Sequence, residues 1–261
     1  MTKTLRDEIN ELKKASLIFD VVPMEVDNTP RLDTYFGGKP FVTEEIEIHE
    51  CPICEKSMQF VCQLLMPNRK NNTKKLYAFY YCFGCLEENI EGTYAVNIYA
   101  NPSEENMLTE LEYTSEIPYA DVRFLPAYDI PDWEYCLDSN PQFVRKLEAL
   151  YGDKAEQTYM QLQQKVEEYA VDTGNKLKGY PRYLDYRDIP KCPRTKQPMV
   201  PLIQMECMPQ LNMNWLGSHS SYLVLFKSAT YDEFELRTID FGDLEEPDMF
   251  EDTDEEDIFD I

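Results

Sequence analysis

The stretch CPICEKSMQFVCQLLMPNRKNNTKKLYAFYYCFGC, residues 51–85, determines how the first part of this chain folds. Residues 58–66 and 75–81 within it are rich in aromatic and branched side chains, which favour β-strands. The segment NRKNNT at 68–73 is polar and typical of a turn. The pattern therefore predicts a β-hairpin, and residues 93–100 alternate in a way that predicts a third strand beside it.

Two Cys-x-x-Cys pairs frame this hairpin, Cys51 with Cys54 and Cys82 with Cys85, and 27 residues separate them. Each pair can place two thiolates on one side of a tight turn, and the hairpin brings the two turns together. Four sulfurs in a tetrahedron are the ligands of a structural zinc ion. The spacing thus predicts one closed zinc site in a zinc-ribbon knuckle, with iron as the alternative metal. His49 is expected to lie at the surface.

A second unit repeats the first at an offset of 141 residues. Each unit has a Gly-x-Pro turn, a cysteine knuckle, a strand, a loop and a second strand. Seven identities match without a gap; the paired residues are Gly38 and Gly179, Pro40 and Pro181, Ile48 and Ile189, Cys51 and Cys192, Pro52 and Pro193, Met58 and Met199, and Gln63 and Gln204. We interpret this as a duplication that produces two related β-rich halves.

The second unit does not keep the metal ligands. Cys192 stands at the first position, but Thr195 replaces the second cysteine. In the aligned sequence, Lys227 and Thr230 stand where the other pair belongs. We therefore expect packing, without a metal, to hold the second knuckle.

The predicted fold class is α+β, with two duplicated antiparallel β-rich repeats and bridging helices. One domain, 1–239, contains repeats at about 35–100 and 176–239, joined by a helical segment at 141–172. Asn140 before Pro141 is typical of a helix start. The sequence also predicts a helix at 3–17, an extended lead-in at 18–36, and strands at 122–128, 199–207, 220–227 and 233–239.

The charge is strongly negative: 261 residues carry 25 Lys and Arg against 49 Asp and Glu, a net charge of −24. The tail 240–261 contains twelve acids and no base, so it holds half of this charge. Nucleic acids and anionic membranes repel such a chain, whereas a basic protein partner attracts it. Apolar residues are interleaved with the acids, so the tail is either a solvated extension or a partner-binding arm. Its candidate residues are Asp240, Asp243, Glu245, Glu246, Phe250 and Phe259.

Sequence motifs for catalysis are missing: there is no P-loop, GxGxxG or GxSxG, and the two histidines are His49 and His219. An enzyme or a small-molecule-binding protein remains the alternative, with an aromatic pocket between the repeats to which Trp133 and Trp215 contribute. No run reaches the roughly 18 apolar residues of a membrane span. The beginning of the chain lacks the apolar core of a signal peptide, so we expect a cytoplasmic protein whose cysteines are thiols or metal ligands.

Several motifs resemble the YwqG family of cytosolic proteins. In the first half these are YFGGKPF at 35–41 and MQFVCQ at 58–63. In the second half they are KGYP at 178–181 and MVPLIQ at 199–204. The resemblance covers most of 5–239 and implies one YwqG-like domain.

The cysteine knuckles are also similar to the programmed cell death protein 2 group. The similarity lies in CPIC at 51–54 with Met58, in QLLMP at 63–67 and in LYAFYYC at 76–82. It implies a zinc-bearing cytosolic chaperone for a basic ribosomal protein. The charge alone suggests a second version of the same function, an immunity protein that masks a basic toxin.

Overall fold

The computed structural model of the chain describes residues 5–25, 30–43, 49–68, 72–85, 91–166, 174–182, 184, 186–217 and 220–240. The helices are α1 (Leu5–Leu12), α2 (Trp133–Ser139), α3 (Pro141–Tyr151) and α4 (Ala155–Val166). The strands are β1 (Lys14–Pro23), β2 (Tyr35–Phe36), β3 (Gln59–Asn68), β4 (Thr73–Tyr81), β5 (Tyr94–Ala100), β6 (Ala120–Asp129), β7 (Lys176–Lys178), β8 (Val200–Glu206), β9 (Ser221–Lys227) and β10 (Phe234–Asp240).

All ten strands belong to one sheet, in the order β10-β9-β8-β7-β1-β6-β2-β3-β4-β5. Every neighbouring pair is antiparallel. The ladder between β1 and β6 lies in the middle, with four strands on either side. The predicted α+β class with antiparallel β-structure is therefore confirmed, and the predicted hairpin is the pair β3–β4.

The knuckles that begin at Cys51 and Cys192 have the same backbone hydrogen bonds, at the 141-residue offset of the repeat. Glu55 and Lys196 occupy equivalent positions in them, and both have a left-handed backbone conformation (φ 57° and 59°). The bonds are Cys51 N–H to Lys56 O (2.9 Å) and Met58 N–H to His49 O (2.7 Å), against Cys192 N–H to Gln197 O (2.9 Å) and Met199 N–H to Pro190 O (2.8 Å). The duplication stays an interpretation, and this shared geometry supports it.

One hydrophobic core lies between the two halves, because side chains from both contribute to it. Phe83 stacks on Trp215 with ring centroids 5.4 Å apart, and Tyr81 packs edge-on against the same indole. The helices form a separate cluster, in which Trp133 packs against Tyr159. Trp215 and Trp133 are 0% and 9% exposed and lie in different clusters, so each is part of a hydrophobic core.

Helices α3 and α4 lie in the predicted helical segment 141–172, of which 167–172 falls outside the described residues, whereas α2 was not predicted. Helix α3 begins with Pro141, buries Phe143 and Leu147, and ends at Gly152, whose φ of 56° suits glycine. The predicted helix at 3–17 is wrong beyond α1, because Lys14 begins β1, which pairs with both β6 and β7. Within the described ranges, none of the helices combines the length and apolar character needed to cross a membrane.

Two buried glutamines at equivalent positions provide a test of the packing. Gln63 accepts from the Phe41 N–H (2.8 Å) and donates to the carbonyls of Arg31 and Asp33 (2.8 and 2.7 Å). Gln204 accepts from the Arg182 N–H (2.8 Å), and its Nε2 has no hydrogen-bond partner among the described residues.

We expect Gln63→Leu to lower the free energy of unfolding by about 3 kcal/mol, since it leaves three main-chain groups without their partner. Gln204→Leu is the matched control and should cost about 1 kcal/mol. Urea denaturation of both variants checks this. Equal losses would contradict the assigned role of Gln63.

Candidate metal centre

The sulfur atoms of Cys51, Cys54, Cys82 and Cys85 all lie within 4.8 Å of one another. The Sγ atoms of Cys51 and Cys85 are 3.6 Å apart, and those of Cys54 and Cys82 are 3.4 Å apart. All eight cysteines of the chain are free, so no disulfide competes for these thiols. The four residues predicted as one ligand set are thus brought together.

The strands β3 and β4 place these cysteines. Gln59 pairs with Tyr81 at the end of the ladder, so the knuckle before β3 meets the knuckle after β4. In the first knuckle the Glu55 N–H donates to the Cys51 carbonyl, and in the second the Cys82 N–H donates to the Thr93 carbonyl. Met58, Phe60 and Tyr80 pack beneath the cluster and keep water from its inner side.

The arrangement fits a tetrahedral metal ion. With a zinc–sulfur distance of about 2.3 Å, the sulfurs of a tetrahedron lie about 3.8 Å apart. The two close pairs, at 3.4 and 3.6 Å, are near that value and far beyond the roughly 2.05 Å of a disulfide. Four cysteines can therefore hold one metal ion and would fill its coordination sphere, which leaves no position for a substrate.

The protonation of the thiols also favours a cation. Burial, together with hydrogen bonds from the neighbouring thiols, raises the pKa of Cys85 to about 12. Burial likewise raises the pKa of Cys82. For Cys51, burial acts in the same direction, but hydrogen bonds from the backbone of Cys54 and Ile53 outweigh it and lower the pKa to about 7. A bound cation would favour the thiolate forms of Cys82 and Cys85, because its positive charge compensates theirs.

Gly84 and His49 lie next to the four cysteines, and the structure shows what each of them does there. A Cβ on Gly84 would lie 3.3 Å from the Cys54 Sγ, so glycine leaves room for the sulfur. His49 is not among the four ligands: its Nε2 lies 2.9 Å from the Asn97 Oδ1, and its ring packs edge-on against Tyr80. His49 is therefore partly buried in the structure, where the sequence predicted a surface histidine.

The second knuckle is held by hydrogen bonds as well as packing. The register places Val200 opposite Lys227, as Gln59 is opposite Tyr81, so the counterpart of Cys82 is Ser228. The sequence alignment placed Lys227 opposite Cys82, which is one residue before the structural counterpart, Ser228.

Polar side chains surround the remaining cysteine of this second knuckle. The Cys192 Sγ donates to the Glu233 carboxylate (3.0 Å), and the side chains of Thr195 and Ser228 hydrogen bond with the same thiol. Arg194 in turn forms an ion pair with Glu233. Cys192 also belongs to a buried cluster with Met199 and Phe226, so the expected packing is present and these hydrogen bonds add to it.

Other candidate residues lie mostly outside the described part of the chain. Asp240 ends β10, but its side chain is not described. The described ranges do not include the other tail candidates or His219. The tail candidates concerned are Asp243, Glu245, Glu246, Phe250 and Phe259.

A buried ion pair was missed by the sequence reasoning. Lys176 Nζ lies 2.7 Å from the Asp129 carboxylate, and the two side chains are 3% and 1% exposed. The Tyr180 N–H donates to the same carboxylate (2.7 Å), and a Cβ on Gly179 would lie 2.1 Å from it. The KGYP motif thus makes room for this aspartate. The alternation of basic and apolar residues in Lys176–Lys178 was the available signal.

No family model matches the chain, and no curated protein matches it either.

Proposed function

We propose that this protein is a non-enzymatic, zinc-stabilised acidic binding module that holds a basic partner protein. The observation that carries the proposal is the net charge of −24, half of which lies in residues 240–261. Charge of this sign and size attracts basic surfaces and speeds their association. Zinc is the metal that best suits a closed set of four cysteines, and its role here is structural.

Two biological versions of this function fit the same chemistry. The resemblance to the programmed cell death protein 2 group favours a cytoplasmic chaperone dedicated to a basic ribosomal protein, with a role in ribosome biogenesis. Charge logic alone also fits an immunity protein that inhibits a basic toxin. The first version predicts co-purification with a ribosomal protein, and the second predicts a single toxin partner with nanomolar or tighter affinity.

The test is affinity purification of the tagged protein from its own cells at about 0.15 M salt, followed by mass spectrometry and metal analysis. A stoichiometric basic protein together with one zinc ion per chain is the expected result. Absence of any preference for basic proteins under these conditions would overturn both versions.

Removal of residues 241–261 is expected to slow association with the basic partner at least tenfold at about 0.05 M salt, because nearly half of the attracting charge is lost. Stopped-flow or surface-binding kinetics measure this, and the difference should shrink as salt is added. The matched control replaces Phe250 and Phe259 with serine and keeps the charge. If only this control weakened binding, charge would not be what recruits the partner.

A further inference from the structure

The open edge of β5 has backbone groups directed away from the sheet. Together, β5 and β10 are the two ends of the strand order, so each has one edge with no neighbouring strand among the described residues. The Asn101 N–H donates to the Lys74 carbonyl, and the Thr93 carbonyl accepts from Cys82, so odd-numbered positions of β5 face β4. Because these directions alternate in an antiparallel ladder, the N–H and C=O groups of Tyr94, Val96 and Ile98 point to the open side.

The open edge of β10 faces the same gap. The Glu233 carbonyl accepts from the Ser228 N–H, so odd-numbered positions face β9 and the Phe234 carbonyl points outward. The Tyr94 hydroxyl donates to that carbonyl at 2.9 Å. Burial and the nearby Glu235 carboxylate raise the pKa of Tyr94 to about 12, so its hydroxyl stays protonated and can donate this bond. The Tyr94 side chain thus occupies the Phe234 carbonyl, with which a neighbouring strand would otherwise pair.

A groove of about 680 Å³ lies between the two edges. Glu91, Gly92 and the first residues of β5 line one side of it, and residues 234–237 of β10 line the other. The acids Glu91 and Glu235 belong to this lining together with one base, Arg237, whose guanidinium lies 3.8 Å from the Glu235 carboxylate. The groove therefore combines an unpaired strand edge with a net negative charge.

We propose that this groove binds an extended, lysine- or arginine-rich segment of the basic partner, which adds to the edge of β5 as a further strand. The inference rests on the proposed function and assigns a place for the partner. Main-chain hydrogen bonds to Val96 and Ile98 would provide affinity, and the glutamates would select basic side chains at alternate positions. The chain's own tail, 240–261, contains twelve acids, which makes it a poor occupant of an acidic site.

Fluorescence anisotropy with two labelled peptides tests the charge selection. The probes are (Lys-Val)5 and (Glu-Val)5, which share length and alternation and differ in the sign of their charge. We expect the full chain at about 0.15 M salt to bind the lysine peptide with micromolar affinity and the glutamate peptide at least tenfold more weakly. Failure of the lysine peptide to bind, or equal binding of both peptides, overturns the inference.

Variants at Val96 test the strand pairing. Val96→Pro removes one N–H from the open edge and leaves the ladder with β4 intact, so it should weaken the lysine peptide at least tenfold. Val96→Ala keeps that N–H and should bind within about threefold of the unchanged protein. Circular dichroism and zinc content confirm that each variant is folded.

Tyr94→Phe is expected to strengthen binding of the lysine peptide, and this second test introduces no proline. It frees the Phe234 carbonyl, so we expect the lysine peptide to bind about threefold to tenfold more tightly. If both Val96→Pro and Tyr94→Phe left the affinity unchanged, the groove would not be the binding place. Should the lysine peptide then depend only on residues 241–261, the proposed function would stand and this inference would fall.

Discussion

Replacing Cys82 with serine should reduce the bound zinc from one ion per chain to less than about a tenth and lower the free energy of unfolding by about 4 kcal/mol or more. Zinc binding at a site of this kind is coupled to folding, because the four cysteines come together only when both knuckles are in place. The variant leaves three thiols in a buried cluster that then lacks its cation. Metal analysis and urea denaturation of the same sample measure the two effects together.

Cys192→Ser is the matched control, since Cys192 occupies the equivalent position to Cys51 but hydrogen bonds with Glu233 instead of binding a metal. It should keep the full zinc content and cost about 1 kcal/mol. Equal destabilisation by Cys82→Ser, Cys51→Ser and Cys192→Ser would rule out a single metal site in the first half.

Lys176→Met is expected to lower the free energy of unfolding by about 3–5 kcal/mol, because it leaves the Asp129 carboxylate charged in a buried site. Asp129 has an opposing charge at 2.7 Å in Lys176, and both groups are almost fully enclosed. Replacing both residues, as Lys176→Met with Asp129→Asn, should recover much of the loss. Thermal and urea unfolding of the single and double variants provide the comparison.

The control for this prediction is Lys146→Met, which breaks the ion pair with Glu8 on the helical side. Those side chains are 34% and 26% exposed, so water screens the pair and the expected cost is at most about 1 kcal/mol. A loss as large as that of Lys176→Met would mean that enclosure of the charges is not the cause.

The hairpin and its metal ligands were predictable because their signals are local. Aromatic and branched runs marked β3 and β4, a polar turn separated them, and the spacing of the two cysteine pairs matched a tetrahedral site. The same reasoning found β5, β6, β8, β9 and β10 to within a few residues. Helix α3 was predictable at both ends, since Pro141 and Gly152 have conformational preferences that do not depend on distant contacts.

What the sequence did not reveal depends on partners far along the chain. Strand β1 follows a helix whose periodicity continues into it, and only the ladders with β6 and β7 make it a strand. Strands β2 and β7 have two and three residues, too few to show an alternating pattern. The open edge of β5 was equally hidden, because no single-sequence pattern tells which strand will be last in a sheet. Asp129 and Lys176 were missed for the same reason.

The place of β1 has a consequence for how the chain can be divided. It precedes the whole helical segment in the chain, yet it provides the edge on which β7 and the rest of the second half assemble. The second half alone would begin its sheet with a three-residue strand and no support beside it. A break after α4 should therefore yield two fragments that recover the native sheet only when mixed, with the earlier fragment serving as the template. The two fragments could thus serve as the halves of a split protein, in which recovery of the sheet reports that the halves have met.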